Sequence, residues 1–457
     1  MCECNCQSGA AVTPPVRANR SLDQKLANIR ANPGGAKDFI LADAKDADMA
    51  TGLAATGKDP ATGKTRSLSD YRDQMREIVK QGLVDIMLMS ASTSELLTIS
   101  EKLFENSRVT PAVRANDTTD IHLPAGGTYS GEPSRPFRSA TIEQIQSGKV
   151  NPEPGERRLG ADLGLYSITP NNRLEFDYVT VEAYKQFRIE AEAKGFRHFL
   201  EVFDPNACGD HCPADLGRFI NDLIVRTLAG VPRAGRPQFL KIAYHGPRAM
   251  EELVSYDPSL VPGILGGSSG TTRDAFHLLE DAKKHGARAA LFGRKINNSE
   301  HQLTFVRFLH AIANGQLRAE EAVKAYHGEL EKLKLKPVRS LKEDLELTTT
   351  ASSYAGTSAP ASGVKFPDRS SSSSRPRYSG GGPGRGSSKT GVDRATPSLT
   401  LPRSTGRGEN AATSASDGFP RRADGAPDFK AMSAAQKLAF ARQKIKSDLV
   451  KNENGRG

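Results

Sequence analysis

Lys241 is the only charged residue of QFLKIAY (238–244), a run that otherwise reads as a buried strand. An ammonium taken out of water must be paired or give up its proton. Burial favours the neutral amine, which is nucleophilic toward a carbonyl carbon. The same lysine on an edge strand would simply point to water. The neighbouring segments favour chemistry. GGSSGTT (266–272) closes the next apolar run and leads directly into a helical pattern, and FGRKINN (292–298) closes the one after it and leads toward another. In a barrel, backbone N–H groups following the seventh and eighth strands commonly cradle a phosphate, with glycines where the backbone must come close. Two acids complete the set: Glu201 within FLEVF, and Asp43 at the end of FILAD, opening ADAKDADMATG (42–52). Carboxylates so placed can move protons to and from a carbinolamine. Asp46 and Asp48 are expected to cap the following turn. Lys45 is either a substrate-phosphate contact or a surface residue.

These residues need strands and helices to position them. Short apolar runs at 39–43, 84–89, 110–115, 161–168, 196–203, 238–244, 261–267 and 287–293 alternate with amphipathic stretches at 69–81, 92–105, 179–194, 214–228, 272–285 and 299–312. Eight such units over 37–335 predict a (β/α)8 TIM barrel, closed by a further helix at 318–335. A doubly wound open sheet is the structural alternative, and the paired strand-end loops favour the barrel. Residues 1–36 read as an N-terminal extension, wrapped on the surface or left mobile, with one short helix at 21–31, and 121–160 as a long loop or insertion.

Composition separates the barrel from its tail. Of 63 Lys+Arg and 53 Asp+Glu, residues 351–457 hold 18 and 8, so the entire formal charge of +10 lies there and 1–350 is balanced. A basic nucleic-acid-binding fold is therefore not indicated. No apolar run reaches 18 residues, so no membrane span is expected. MCECNCQSGAAVTPP lacks the apolar segment of a secretory signal, and five cysteines are odd in number, so a cytoplasmic protein without a disulfide framework is the expectation. Residues 336–425 read as a disordered Ser/Gly/Pro/Arg-rich linker. Residues 426–457 read as a C-terminal amphipathic helix: Ser433 and Gln436 make a capping box, and Ala434, Leu438, Ala441, Ile445 and Leu449 form one stripe.

FLKIAY with Lys241, GGSSGTTRDAF, and ARAALFGRKI followed by a helix together resemble the class I, Schiff-base aldolases of the deoxyribose-phosphate aldolase superfamily, and most nearly the bacterial and archaeal fructose-bisphosphate and tagatose-bisphosphate branch. The resemblance is clearest over 195–330 and weaker back to Lys37. It implies that Lys241 forms the Schiff base and that Gly267, Ser268, Gly293 and Arg294 hold a substrate phosphate; Gly266, in the same loop, is a candidate binding residue beside them. It also implies that Asp43 and Glu201 carry protons during C–C cleavage. Tyr166 stands in ADLGLYSIT, where the tagatose branch has a lysine, and is taken as the strand-four site residue. By this likeness the protein is an aldehyde-lyase acting on a phosphorylated sugar. No cofactor and no metal are needed, because the iminium does the polarising, and a homo-oligomer is expected. The tail resembles the encapsulation peptides that load enzymes into bacterial microcompartments, which implies a shell-protein partner and placement in a microcompartment lumen.

Other readings remain. A thiolase- or transaldolase-like Schiff-base enzyme fits the same residues, and a non-catalytic barrel acting as a scaffold through its tail is a different class. Cys2, Cys4 and Cys6 are expected to be idle terminal thiols. Cys208, His211 and Cys212 are a weak zinc signal without a fourth ligand. GKDPATGKT (57–65) mimics a P-loop with the wrong glycine spacing and reads as a polar loop.

Overall fold

In the computed structural model, eight parallel strands, β1 (Ile40–Lys45), β2 (Ile86–Met89), β3 (Thr110–Arg114), β4 (Leu163–Ile168), β5 (Arg197–Val202), β6 (Leu240–Ile242), β7 (Gly263–Leu265) and β8 (Ala289–Phe292), close into a barrel in chain order. The structure describes residues 20–59, 62–117, 125–128, 131–267, 270–349, 419–422, 428, 431–433 and 436.

Each strand is buried on both faces, and the two faces fill different spaces. Ile40, Ala42, Ile86, Leu88, Ala112, Leu163, Leu165, Phe199, Phe239, Ala289 and Leu291 pack inside the barrel. Their neighbours in sequence, such as Leu41, Met87, Val113, Tyr166, Leu200 and Leu240, pack outward beneath the helices. This two-residue period decides which side chains can reach the site.

The helix Ser21–Ala31 forms over the expected residues, but it is neither mobile nor wrapped on the surface, because its apolar side is buried. Its Leu22, Leu26 and Ile29 recur every three or four residues and plug the N-terminal mouth of the barrel, joining the interior cluster. Lys25 donates to the Phe39 carbonyl and to Asp85, both at 2.8 Å, and fixes the plug at the start of β1. The helix expected at 92–105 is shorter: Ala91–Ser94 widens into a π turn at Glu95–Ser100. Pro247–Tyr256 is a helix absent from the predicted set, entered through Gly246 and started by proline.

The boundary of the tail also differs. Residues 336–349, assigned from composition to the linker, include a helical turn at Leu341–Asp344 with a Ser340–Glu343 capping box, and pack on the barrel. Polar hydrogen bonds hold this stretch, and a count of apolar residues cannot see them. The chain divides into two units, 1–368 and 369–457. In the second, Ser433 N–H donates to Gln436 Oε1 at 3.0 Å and Gln436 N–H to Ser433 Oγ at 3.3 Å, the reciprocal pairing of a capping box. The rest of the tail helix, nearly all of the linker, and Cys2, Cys4 and Cys6 lie outside the described residues. Among the described residues no helix is long and apolar enough to cross a membrane.

Candidate active site

Residues at the C-terminal ends of β1, β3 and β5–β8 surround one pocket. Asp46, Arg114, Glu201 and Lys241 line it together with Gly266, Gly267, Gly293 and Arg294, and Ala47, Ala50 and Phe203 supply apolar wall. Ser167, Glu201 and Lys241 are register partners across β4, β5 and β6, so three adjacent strands present them side by side.

Lys241 is 7% exposed and its Nζ lies 2.5 Å from Glu201 Oε1. The buried amine is thus paired, not isolated among apolar neighbours. Glu201 Oε2 accepts from Ser167 Oγ at 2.7 Å and from Arg114 Nη2 at 3.3 Å. Arg114 also donates from Nη1 to Ser167 Oγ at 2.8 Å and from Nε to Asp46 Oδ2 at 2.5 Å. Asn116 exchanges two hydrogen bonds with the backbone of Ser167, at 2.8 and 2.6 Å, and fixes β3 against β4 at this depth. Two carboxylates and two cations therefore make a neutral buried quartet. Burial opposes ionisation of Asp46, but the charges of Arg114 and Lys241 outweigh it and hold the carboxyl below its ordinary value. Burial likewise opposes the Arg114 charge, and Asp46 and Glu201 overcome it, so the guanidinium stays charged.

The structure brings Lys241, Glu201, Gly266, Gly267, Gly293 and Arg294 to one pocket; Ser268 lies outside the described residues. The glycines have packing reasons of their own. A Cβ on Gly266 would stand 2.2 Å from the Phe292 ring, and one on Gly293 would stand 2.4 Å from the Ala44 carbonyl oxygen. Gly267 adopts φ +62°, which a side chain disfavours.

Three expected site residues are elsewhere. Asp43 and Lys45 share the outward face of β1 with Leu41, since Ile40, Ala42 and Ala44 take the inward one. Lys45 is fully buried, over the Tyr71 ring, and donates to Gln302 Oε1 at 2.8 Å and Asn297 Oδ1 at 3.4 Å, so it is neither a phosphate contact nor a surface residue. Asp43 lies 3.8 Å from it, with no hydrogen bond to either carboxylate oxygen. The acid that β1 contributes to the pocket is Asp46, three residues on. It occupies the N-cap position of the turn Ala47–Met49 without a side-chain capping bond, contrary to the expected cap, because Arg114 takes its carboxylate. Asp48 does not cap either and accepts from Ser90 Oγ at 2.5 Å. Tyr166 points away from the pocket and stacks on Phe187 with ring centroids 4.4 Å apart; the strand-four residue of the site is its neighbour Ser167.

Burial pushes the Asp43 carboxyl up to about 6, against the opposing charge of Lys45, and burial pulls Lys45 down to about 8, against Asp43. Unfolded, Asp43 titrates near ~3.9, so the fold favours its protonated form: that stability is complete below about pH 4 and is lost as the pH rises through about 6. Asp43→Asn stays neutral throughout. In circular-dichroism melts the Tm of wild type minus that of Asp43→Asn is expected to fall between about pH 4 and 6.5. A difference that stays constant over this window would refute the burial argument.

Sequence reading missed Arg114, Ser167, Asn116 and the role of Asp46. Arg114 carried a usable signal, as the lone charge in TPAVRA. Cys208 and Cys212, read from the sequence as a weak zinc signal, are joined as a disulfide with Cα atoms 4.9 Å apart, because the turn Gly209–His211 folds the chain back on itself. Among the described residues no group of three His, Cys, Asp or Glu is placed to hold a metal ion.

No family model matches the chain. The 2-amino-3,7-dideoxy-D-threo-hept-6-ulosonate synthase 1 of Archaeoglobus fulgidus is 30% identical over 113 residues, 24% of this chain and 42% of that protein, so the chain spans less than half the length of the curated relative it matches. Among solved structures, an archaeal fructose 1,6-bisphosphate aldolase superposes with a TM-score of 0.47 at 17% identity, over 64% of this chain and 99% of its own. A Schiff-base-forming fructose-1,6-bisphosphate aldolase gives 0.47 and 18% over the same shares. A protein of Corynebacterium glutamicum gives 0.44 and 17%, over 66% of this chain and 100% of its own.

Proposed function

We propose that the protein is a class I aldolase, forming or cleaving a C–C bond in a phosphorylated sugar through a Schiff base on Lys241. The contact between Lys241 Nζ and Glu201 Oε1, at 2.5 Å inside the pocket, carries this reading. Glu201 takes a proton from the Lys241 ammonium, and the freed amine adds to the substrate carbonyl to give a carbinolamine. Returning that proton to the carbinolamine hydroxyl expels water and leaves an iminium. The iminium keeps the positive charge of the lysine it replaces, so the quartet stays neutral and Glu201 remains its counter-ion. The iminium then accepts the electron pair of the breaking C–C bond, while the substrate hydroxyl gives its proton to a pocket carboxylate. Asp46 and Glu201 are the acids within the pocket, and Asp46 takes the role that the likeness gave to Asp43. Arg294 with the strand-seven and strand-eight glycines would hold the substrate phosphate, which keeps the reacting carbon over Lys241.

Borohydride reduction in the presence of fructose-, tagatose- and deoxyribose-derived phosphates tests the reading. One of them is expected to leave a reduced adduct on Lys241, found by peptide mass spectrometry; no adduct with any would refute it. Product analysis separates an aldolase from a thiolase- or transaldolase-like enzyme that shares the intermediate. Packaging by the tail helix belongs to the same proposal, and is supported by its sequence pattern and by the Ser433–Gln436 cap.

A further inference from the structure

The two carboxylate oxygens of Glu201 have different surroundings. Oε1 faces Lys241 Nζ at 2.5 Å. Oε2 takes two other donors, the Ser167 hydroxyl at 2.7 Å and Arg114 Nη2 at 3.3 Å. A serine hydroxyl ordinarily turns to suit its neighbours, but this one has a forced direction. Arg114 Nη1 donates to Ser167 Oγ at 2.8 Å, and a guanidinium has nothing with which to accept. The single hydroxyl hydrogen is therefore left for Glu201. The backbone that carries it is fixed as well. Asn116 accepts the Ser167 N–H on Oδ1 at 2.6 Å and donates from Nδ2 to the Ser167 carbonyl at 2.8 Å. Ser167 and Asn116 are fully buried, so water does not compete for these bonds.

A proton placed on Oε2 would confront the Ser167 hydrogen and an Arg114 N–H, whereas Oε1 meets the amine that gives the proton up. We infer that Ser167 is a positioning residue for the proton transfers of Glu201. By occupying Oε2 it makes Oε1 the oxygen that takes the Lys241 proton and returns it to the carbinolamine hydroxyl, which leaves as water. One oxygen then serves both transfers, and the carboxyl group need not rotate between them. Ser167 acts only through Glu201, since it is not among the described residues that line the pocket. The inference rests on the Schiff-base reading, because the proton concerned is the one exchanged with Lys241.

The test uses the full-length chain and dihydroxyacetone phosphate. It follows the formation of a cyanoborohydride-reducible adduct on Lys241, giving a saturating rate and a half-saturating concentration. Ser167→Ala removes the hydroxyl and frees the carboxyl group to turn. Its saturating rate is expected to fall at least about tenfold, part of the ~10^2–10^4-fold that an aimed acid–base group supplies. Its half-saturating concentration is expected to stay within about twofold of wild type. Ser167→Cys keeps the size but donates weakly, and is expected to lose about three- to tenfold. It carries the test if Ser167→Ala does not fold by circular dichroism. Ser167→Thr restores a hydroxyl and is expected within about threefold of wild type. A serine that only packs would make the rates follow melting temperature instead of the hydroxyl. Ser167→Ala and Ser167→Cys within about twofold of wild type, or Ser167→Thr as slow as Ser167→Ala, would overturn the positioning role. So would a raised half-saturating concentration at an unchanged rate. Failure of wild type to form any adduct would instead remove the Schiff-base reading beneath it.

Discussion

Lys241→Met is expected to remove the borohydride adduct entirely and to lower turnover by at least about 10^4-fold, or ~5.5 kcal/mol of transition-state stabilisation. Methionine matches the length and fills the apolar stem of the site, so the barrel should remain intact and the loss should be chemical. Glu201 then keeps Arg114 Nη2 and the Ser167 hydroxyl as donors, which prevents an orphaned carboxylate. Lys241→Arg would retain the charge but not the chemistry, because a guanidinium does not give up its proton near neutral pH. Steady-state rates and intact-protein mass spectrometry decide the matter. Residual turnover within about tenfold of wild type would mean that the covalent step lies elsewhere.

Arg114→Met is expected to have the largest effect on stability. The guanidinium is the only group among the described contacts that joins Asp46, Ser167 and Glu201, and it is 4% exposed. Without it, Asp46 keeps only the more distant charge of Lys241, while Glu201 keeps the lysine and the Ser167 hydroxyl. Breaking a buried pair by deleting one partner costs about 3–5 kcal/mol, a large share of the ~5–15 kcal/mol that holds a domain together. The expected drop in Tm is on the order of 10 °C. Arg114→Lys should not rescue it, since one ammonium cannot reach three acceptors spread over three strands. A melt within about 2 °C of wild type for Arg114→Met would show that the quartet adds little to folding.

The most informative sequence signal was a lone charge inside an apolar run. It marked Lys241 and Glu201, and both meet in the pocket. Arg114 carries the same signal in TPAVRA, but a guanidinium that stays charged suggests neither a nucleophile nor a proton carrier. The strand-end glycines also line the pocket, and Gly266 and Gly293 are constrained by the Phe292 ring and the Ala44 backbone whatever they bind. Asp43 stands at the predicted strand end, and Tyr166 stands where the tagatose branch has a lysine. In both cases the residue facing the pocket was a near neighbour.

By itself, then, the amino-acid order determined the alternation of apolar runs and amphipathic stretches, the helix at 21–31 though not its place in the barrel mouth, the charge imbalance of the tail, and the two ionisable groups too costly to bury unpaired. Tertiary structure alone decided which face of each strand looks inward. In a parallel barrel both faces are covered by apolar material, so Leu41 and Ala42 are equally buried and no hydropathy pattern distinguishes them. Closure fixes that parity, through β1 pairing with β8 at one edge and β2 at the other. Parity put Asp43 and Lys45 under the helices, and left Asp46, Arg114, Ser167, Glu201 and Lys241 to share one buried network. Likewise, the segment 340–349 is held by polar contacts to residues some seventy positions earlier in the chain, such as Asp344 to Thr272, which neither partner announces locally.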